Sequence, residues 1–149
     1  MNLQPENANF KIIQKNQTKY IFDSIRKKYV VLTPEEWVRQ NTIHYLVNIK
    51  NYPPSLIRIE QKLKGKEQFF RSDIILYDRN AKAKMIVECK AEKVKITQDV
   101  FEQISKYNMQ FEVDYLMVTN GIQHYICKID YLEKSYAFLT EVPDYTKLL

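Results

Sequence analysis

Two glycines in 149 residues constrain this chain more than any other feature; average usage of about 7% would supply roughly ten. Only Gly65 and Gly121 are present, so no glycine-rich phosphate loop of the P-loop or dinucleotide-binding type can be built. The same shortage excludes a glycine-flanked serine elbow. Apolar residues make up 45% of the chain and charged residues 28%, enough to bury a core and too apolar for disorder. The length fits one domain. There is no repeat, low-complexity stretch or Gly/Ser linker, so residues 1–149 read as a single unit.

Soft metal ligands are scarce. Cys89, Cys127, His44 and His124 form no C-x-x-C or H-x-x-H spacing, so a structural zinc site is not expected. The cysteines read as buried thiols in a reducing compartment rather than as a disulfide framework. No apolar run approaches the roughly 18 residues that span a bilayer. The start, Met1-Asn2-Leu3-Gln4-Pro5-Glu6, lacks the basic and apolar regions of a signal peptide. The expectation is a soluble, cytoplasmic protein with no membrane partner. A net charge of +5 leans mildly toward polyanions and is no nucleic-acid signature alone.

Short β-like runs fall at 10–13, 19–22 and 28–32. A helix start follows: Thr33 suits an N-cap, Pro34 the first helical position, and Glu36 sits three after Thr33 as in a capping box. This helix is predicted to run to about residue 50, where Asn51-Tyr52-Pro53-Pro54 stops it. Strand-like runs at 56–61, 69–77 and 84–90 come next. A second helix covers about 97–110, with Val100, Ile104, Tyr107 and Phe111 on one stripe. A strand at 113–119 turns through Asn120-Gly121 into another at 123–129, and 135–149 adds a strand before fraying. The fold class is mixed α/β.

The chemistry-bearing pattern lies in the hairpin 69–90. If its strands are symmetric about Asn80-Ala81, Tyr77 faces Lys84 and Asp73 faces Glu88. Alternation then puts Arg71, Asp73, Ile75 and Tyr77 on one face with Ile86, Glu88 and Lys90. Like charges directly opposed across a strand pair are destabilising. A shared divalent cation held through carboxylate oxygens gives that arrangement a reason, and a surface Glu/Lys ladder is the plain alternative. An E-x-K triplet is not specific, since Glu60-Gln61-Lys62 is a second one. Context singles out the first: Met85-Ile86-Val87 feeds Glu88-Cys89-Lys90, and an aspartate stands on the preceding strand. On the second helix Gln103 and Tyr107 are four apart and share a face, either beside this cluster or on an ordinary polar rim.

Asp73, Glu88-Cys89-Lys90 and Gln103-x-x-x-Tyr107, on strand, strand and helix, resemble the PD-(D/E)XK nuclease superfamily in its RecB-like form. More narrowly, Leu32-Thr33-Pro34-Glu35-Glu36-Trp37-Val38-Arg39-Gln40, Arg71-Ser72-Asp73-Ile74 and Val87-Glu88-Cys89-Lys90-Ala91 are similar to the N-terminal domain family of type I restriction enzyme R proteins. So are Gln103-Ile104-Ser105-Lys106-Tyr107-Asn108 and Val118-Thr119-Asn120-Gly121. The resemblance covers about 32–130, the motif-bearing core. It implies a restriction-endonuclease-like core, a central mixed β-sheet flanked by helices in the order helix-strand-strand-strand-helix-strand.

It also implies a metal-dependent endodeoxyribonuclease. Asp73 and Glu88 would hold Mg²⁺ or Mn²⁺, Lys90 would activate or orient the attacking water, and Gln103 would hold the arrangement. The family adds a carboxylate from the first helix. Glu36 has a capping role, whereas Glu35 falls nearer the stripe of Val38, Thr42, Tyr45, Leu46 and Ile49, so Glu35 is the expected third acidic ligand. Glu36, Glu60 and Tyr107 are supporting candidates, although a strand-end glutamate such as Glu60 is usually solvated. Ser72 stands where the superfamily name has proline. Glycine-rich motor loops are missing, so any translocation belongs to a separate motor or restriction-complex subunit. DNA is the implied partner, and a homodimer is compatible with the pattern. An inactive nucleic-acid-binding module or a protein-interaction domain of the same fold is the alternative.

Overall fold

The computed structural model describes residues 3, 8–64 and 69–148, leaving aside the side chains of Leu63, Phe69, Phe70 and Tyr107. The supporting role expected of the Tyr107 side chain therefore lies outside the described residues. The chain opens with an antiparallel sheet of β1 (Ile12–Lys15), β2 (Thr18–Asp23) and β3 (Lys28–Val31). Lys15 pairs with Thr18, leaving Asn16 and Gln17 as a two-residue turn with φ of 50° and 67°. Positive φ at both positions defines the turn whose twist matches a hairpin, normally a glycine site. Glycine being absent, eight non-glycine residues among those described adopt positive φ.

Helix α1 (Pro34–Asn48) starts as the sequence predicts, with the Thr33 hydroxyl accepting the Glu36 N–H at 3.0 Å. It stops two residues before position 50, and Ile49, expected on the buried stripe, is exposed beyond the helix end. Val38, Thr42, Tyr45 and Leu46 are buried as expected. So are Glu36, Arg39, Gln40 and Asn41, giving α1 a second, polar buried face.

The main sheet runs β4 (Ile57–Lys64), β5 (Phe69–Tyr77), β6 (Ala83–Cys89), β7 (Tyr115–Thr119), β8 (His124–Asp130) and β9 (Ser135–Leu139), in that spatial order. Every neighbouring pair is antiparallel except β6 and β7, whose parallel pairing is bridged by helix α2 (Gln98–Asn108). Alternation along β5 and β6 sorts the core into two layers. Ile74, Leu76, Met85 and Val87 pack with Val38 and Leu46 of α1, while Ile75 and Ile86 pack with Phe101, Val113 and Leu116 on the α2 side.

Three expectations are corrected. A bulge between Leu76 and Tyr77 pairs Tyr77 with Ala83, and Lys84 instead reaches Asp114 at 2.6 Å. On α2 the fully buried residue is Phe101, with Ser105 and Asn108 also buried. Val100, Ile104 and Phe111 line a cavity, Ile104 and Phe111 packing partly buried against the core as well. The C-terminal stretch does not fray after β9. Val142, Tyr145 and Leu148 fill the α1 layer, Tyr145 N–H donates to the Lys50 carbonyl at 3.1 Å, and the Tyr52 hydroxyl donates to the Pro143 carbonyl at 2.7 Å.

Candidate active site

The bulge lies on the turn side of the hairpin, so it does not disturb the register near Asp73. Ile74 pairs with Val87, and the next position along places Asp73 opposite Glu88. Ladder pairing stops there because the Asp73 side chain takes the Cys89 N–H, its Oδ2 accepting at 2.7 Å. Burial, then the charge and hydrogen bonding of Asp73, push Glu88 up to about 9, with Lys90 offsetting part of the rise. Both causes favour the protonated form of Glu88.

On the other side of Asp73, β4 brings a third acid into line. Ile59 pairs with Ile74 and Gln61 with Ser72, so Glu60 stands opposite Asp73. Glu60 is not a solvated strand end: it lies within β4 at φ 52°, breaking the ladder, and its carboxylate binds Arg71 at 2.7 Å and Arg26 at 3.2 Å. Glu60, Asp73 and Glu88 thus occupy adjacent register positions on three neighbouring strands.

Arg39, which the sequence reading missed, holds this row together. Its side chain is 4% exposed, and its Nη2 donates to Asp73 Oδ1 at 2.9 Å and to Glu35 at 3.3 Å. Its Nη1 contacts Glu36 and, at 3.4 Å, Glu60. Burial works against the guanidinium, but Asp73 and Glu36 outweigh it and hold Arg39 above its ordinary range, fully charged. Glu36 also binds Arg26 at 2.6 Å, and Gln40 Nε2 donates to both Glu36 and Asp23. Burial raises Asp23, but its bonds to Arg26 and Gln40 prevail and leave it below its ordinary range. The available signal was the spacing of Glu35 and Glu36 four and three residues before Arg39, which pairs them on one helix face.

Glu35 and Glu36 divide, but not by burial as the helical wheel suggests: the buried one is Glu36. Glu36 is enclosed in the arginine network. Glu35 has a side chain 45% exposed and is raised by burial and then by Asp73, against Arg39 and Lys90. Lys90 follows β6, its N–H fixed on the Thr119 carbonyl at 2.8 Å. It lines a cavity of about 460 Å³ with Glu88, Arg71, Gln103, Ile104 and Phe111. Gln103 is exposed on the α2 wall of that cavity rather than semi-buried. Among the described residues no three His, Cys, Asp or Glu side chains are grouped to hold one ion. The hard-oxygen pair Asp73 and Glu88 still fits a cation such as Mg²⁺, which is commonly held by one or two carboxylates with water and phosphate filling the rest.

A linkage prediction follows from the proton on Glu88. The folded chain keeps it up to about pH 9, whereas an unfolded glutamate loses it near 4.5. Between those values the unfolded state binds fewer protons, so stability falls as pH rises. Urea unfolding in EDTA is expected to show this decline from pH 5 to 9, and Glu88→Gln is expected to flatten it. A native chain with stability rising over that range would contradict a proton held on Glu88.

A mixed sheet with helices on both faces and a parallel β6–α2–β7 crossover is a restriction-endonuclease-like architecture. The family model for the type I restriction enzyme R protein N terminus (HSDR_N) matches residues 34–143, and the chain belongs to that family. In fold it is similar to the fragment structure of a protein assigned as an HsdR subunit of a type I restriction enzyme from Vibrio vulnificus YJ016. The TM-score is 0.50 and the identity 20%, over 78% of this chain and 25% of that one. This chain therefore spans about a quarter of that solved chain. No curated protein matches it in sequence. No helix of the described residues is long and apolar enough to cross a membrane.

Proposed function

We propose that this chain is a Mg²⁺-dependent DNA endonuclease domain acting in a type I restriction system, with any motor supplied elsewhere in the complex. The observation that carries the reading is geometric: Asp73 and Glu88 stand opposite each other on β5 and β6, and Glu88 lines one cavity with Lys90. An opposed carboxylate pair without a cation is destabilising. Asp73 and Glu88 would hold the cation, which supplies Lewis-acid charge stabilisation and water activation when bound. Arg39 orients Asp73 through its 2.9 Å bond to Oδ1. Glu88 would hold the cation in its ionised form. Lys90 holds positive charge where the phosphorus gains negative charge and orients the attacking water, Gln103 lines the approach from α2, and Glu35 adds negative charge at the mouth. Family membership supports DNA as the substrate and a restriction complex as the setting.

The test is cutting of plasmid and linear DNA in Mg²⁺ or Mn²⁺ by the native chain and by Asp73→Ala. The native chain is expected to cut only with the cation, and Asp73→Ala is expected to lose cation binding and cutting together. Salt-sensitive DNA binding with no product under any cation would favour the non-cutting module.

A further inference from the structure

A second cavity, of about 330 Å³, lies between the three-stranded sheet and α1, away from Glu88 and Lys90. That size falls at the lower end of ligand pockets, about 300–1,000 Å³, and suits one small molecule rather than a duplex. Phe10 and Phe22 form part of its wall. Phe10 meets the His44 ring edge-on at 6.0 Å, and the Lys11 ammonium stands 5.8 Å from the centre of the Phe22 ring. An aromatic face with a cation beside it is a surface on which planar bases stack.

The polar groups of the cavity are unusually specific. His44 Nδ1 is buried and has no hydrogen-bond partner, which is costly to leave so. Both N–H bonds of the Gln40 amide are committed, to Asp23 at 3.0 Å and Glu36 at 2.9 Å, so Gln40 can offer only its carbonyl oxygen. The Asn48 amide already donates to the His44 carbonyl at 3.1 Å. The wall is therefore biased toward accepting hydrogen bonds.

We infer that this cavity binds a single nucleobase carrying an exocyclic amino group, stacked at Phe22, with Lys11 on its phosphate. The amino group donates to Gln40, a ring nitrogen or N–H satisfies His44, and the cation meets the anion. The base comes either from a nucleic-acid strand that has extruded it or from a free nucleotide. Because Gln40 also binds Glu36, the pocket shares one side chain with the arginine network of the first site, but its occupancy requires no cutting.

The experiment is an amide NMR titration of the ¹⁵N-labelled 149-residue chain in EDTA, first with dAMP and dTMP. An oligo-dA strand follows, and then an abasic strand of the same length that carries no base. Shifts are expected at Lys11, Gln40, His44 and Asn48, with dAMP or the intact strand binding more tightly than dTMP or the abasic strand respectively. Response to dAMP alone identifies a free nucleotide as the source; response only to the strand identifies an extruded base. Phe22→Ala is expected to weaken binding roughly tenfold, the scale of one base–aromatic stack. The inference is overturned by no shifts at these residues at millimolar probe, by shifts only around Glu88 and Lys90, or by equal binding of intact and abasic strands. A chain that binds here and cuts nothing would overturn the nuclease reading alone, and a chain that cuts without these shifts would overturn this inference alone.

Discussion

Lys90→Ala is expected to lower Mg²⁺-dependent DNA cutting by roughly two to three orders of magnitude, the scale of removing one electrostatic contact made to a transition state. The fold is expected to survive, because Lys90 follows the end of β6, is only partly buried, and faces a cavity instead of either core layer. Cation binding is expected to persist, since the Asp73 and Glu88 oxygens are untouched. Lys90→Arg is not expected to restore full activity: a planar guanidinium cannot replace a compact ammonium beside the attacking water. Cutting by Lys90→Ala at the native rate would remove Lys90 from the mechanism. The measurement is initial cutting rate against cation concentration, which separates a lower maximal rate from weaker cation binding.

Arg39→Met is expected to cost about 3–5 kcal/mol of stability, the range for removing one partner of a buried ion pair. Methionine keeps most of the volume, so the loss is electrostatic rather than a cavity. Without the guanidinium, Asp73, Glu36 and Glu60 face one another with one neutralising group fewer, while Arg26 stays paired with Glu36 and Glu60. Urea unfolding in EDTA reads the loss directly. Added Mg²⁺ is expected to restore part of it, because a ligand that binds only the folded state stabilises by mass action. A loss below about 1 kcal/mol, the worth of a surface pair, would mean that Arg39 is not what holds the carboxylates together.

The register placing Asp73 opposite Glu88 was legible because the bulge between Leu76 and Tyr77 displaces only the turn end, where Tyr77 pairs with Ala83 instead of Lys84, and the pairs from Leu76 onward keep the expected count. The Thr33 cap was legible too, but the burial of Glu36 rather than Glu35 was not, because the wheel follows the apolar stripe. Arg39 was not, because α1 was read by its apolar stripe. That method assigns Arg39 and Gln40 to solvent, whereas here they are buried against Asp23, Glu60 and Asp73. Glu60 was legible only as a supporting candidate at a strand end: its left-handed backbone is a position that propensity reserves for glycine, and this chain fills such positions with other residues. Val142, Tyr145 and Leu148 lie in and just before a single 3₁₀ turn (Tyr145–Leu148), too short to stand out in the sequence, so only tertiary packing reveals them as core.

The central claim is that Asp73 and Glu88 form one cation site. A crystal of the native chain soaked in Mn²⁺ tests it most directly. An anomalous peak is expected between the two carboxyl groups, within bonding distance of oxygens from both. Mn²⁺ bound elsewhere, or absent from the pair at concentrations that support cutting, would contradict the account.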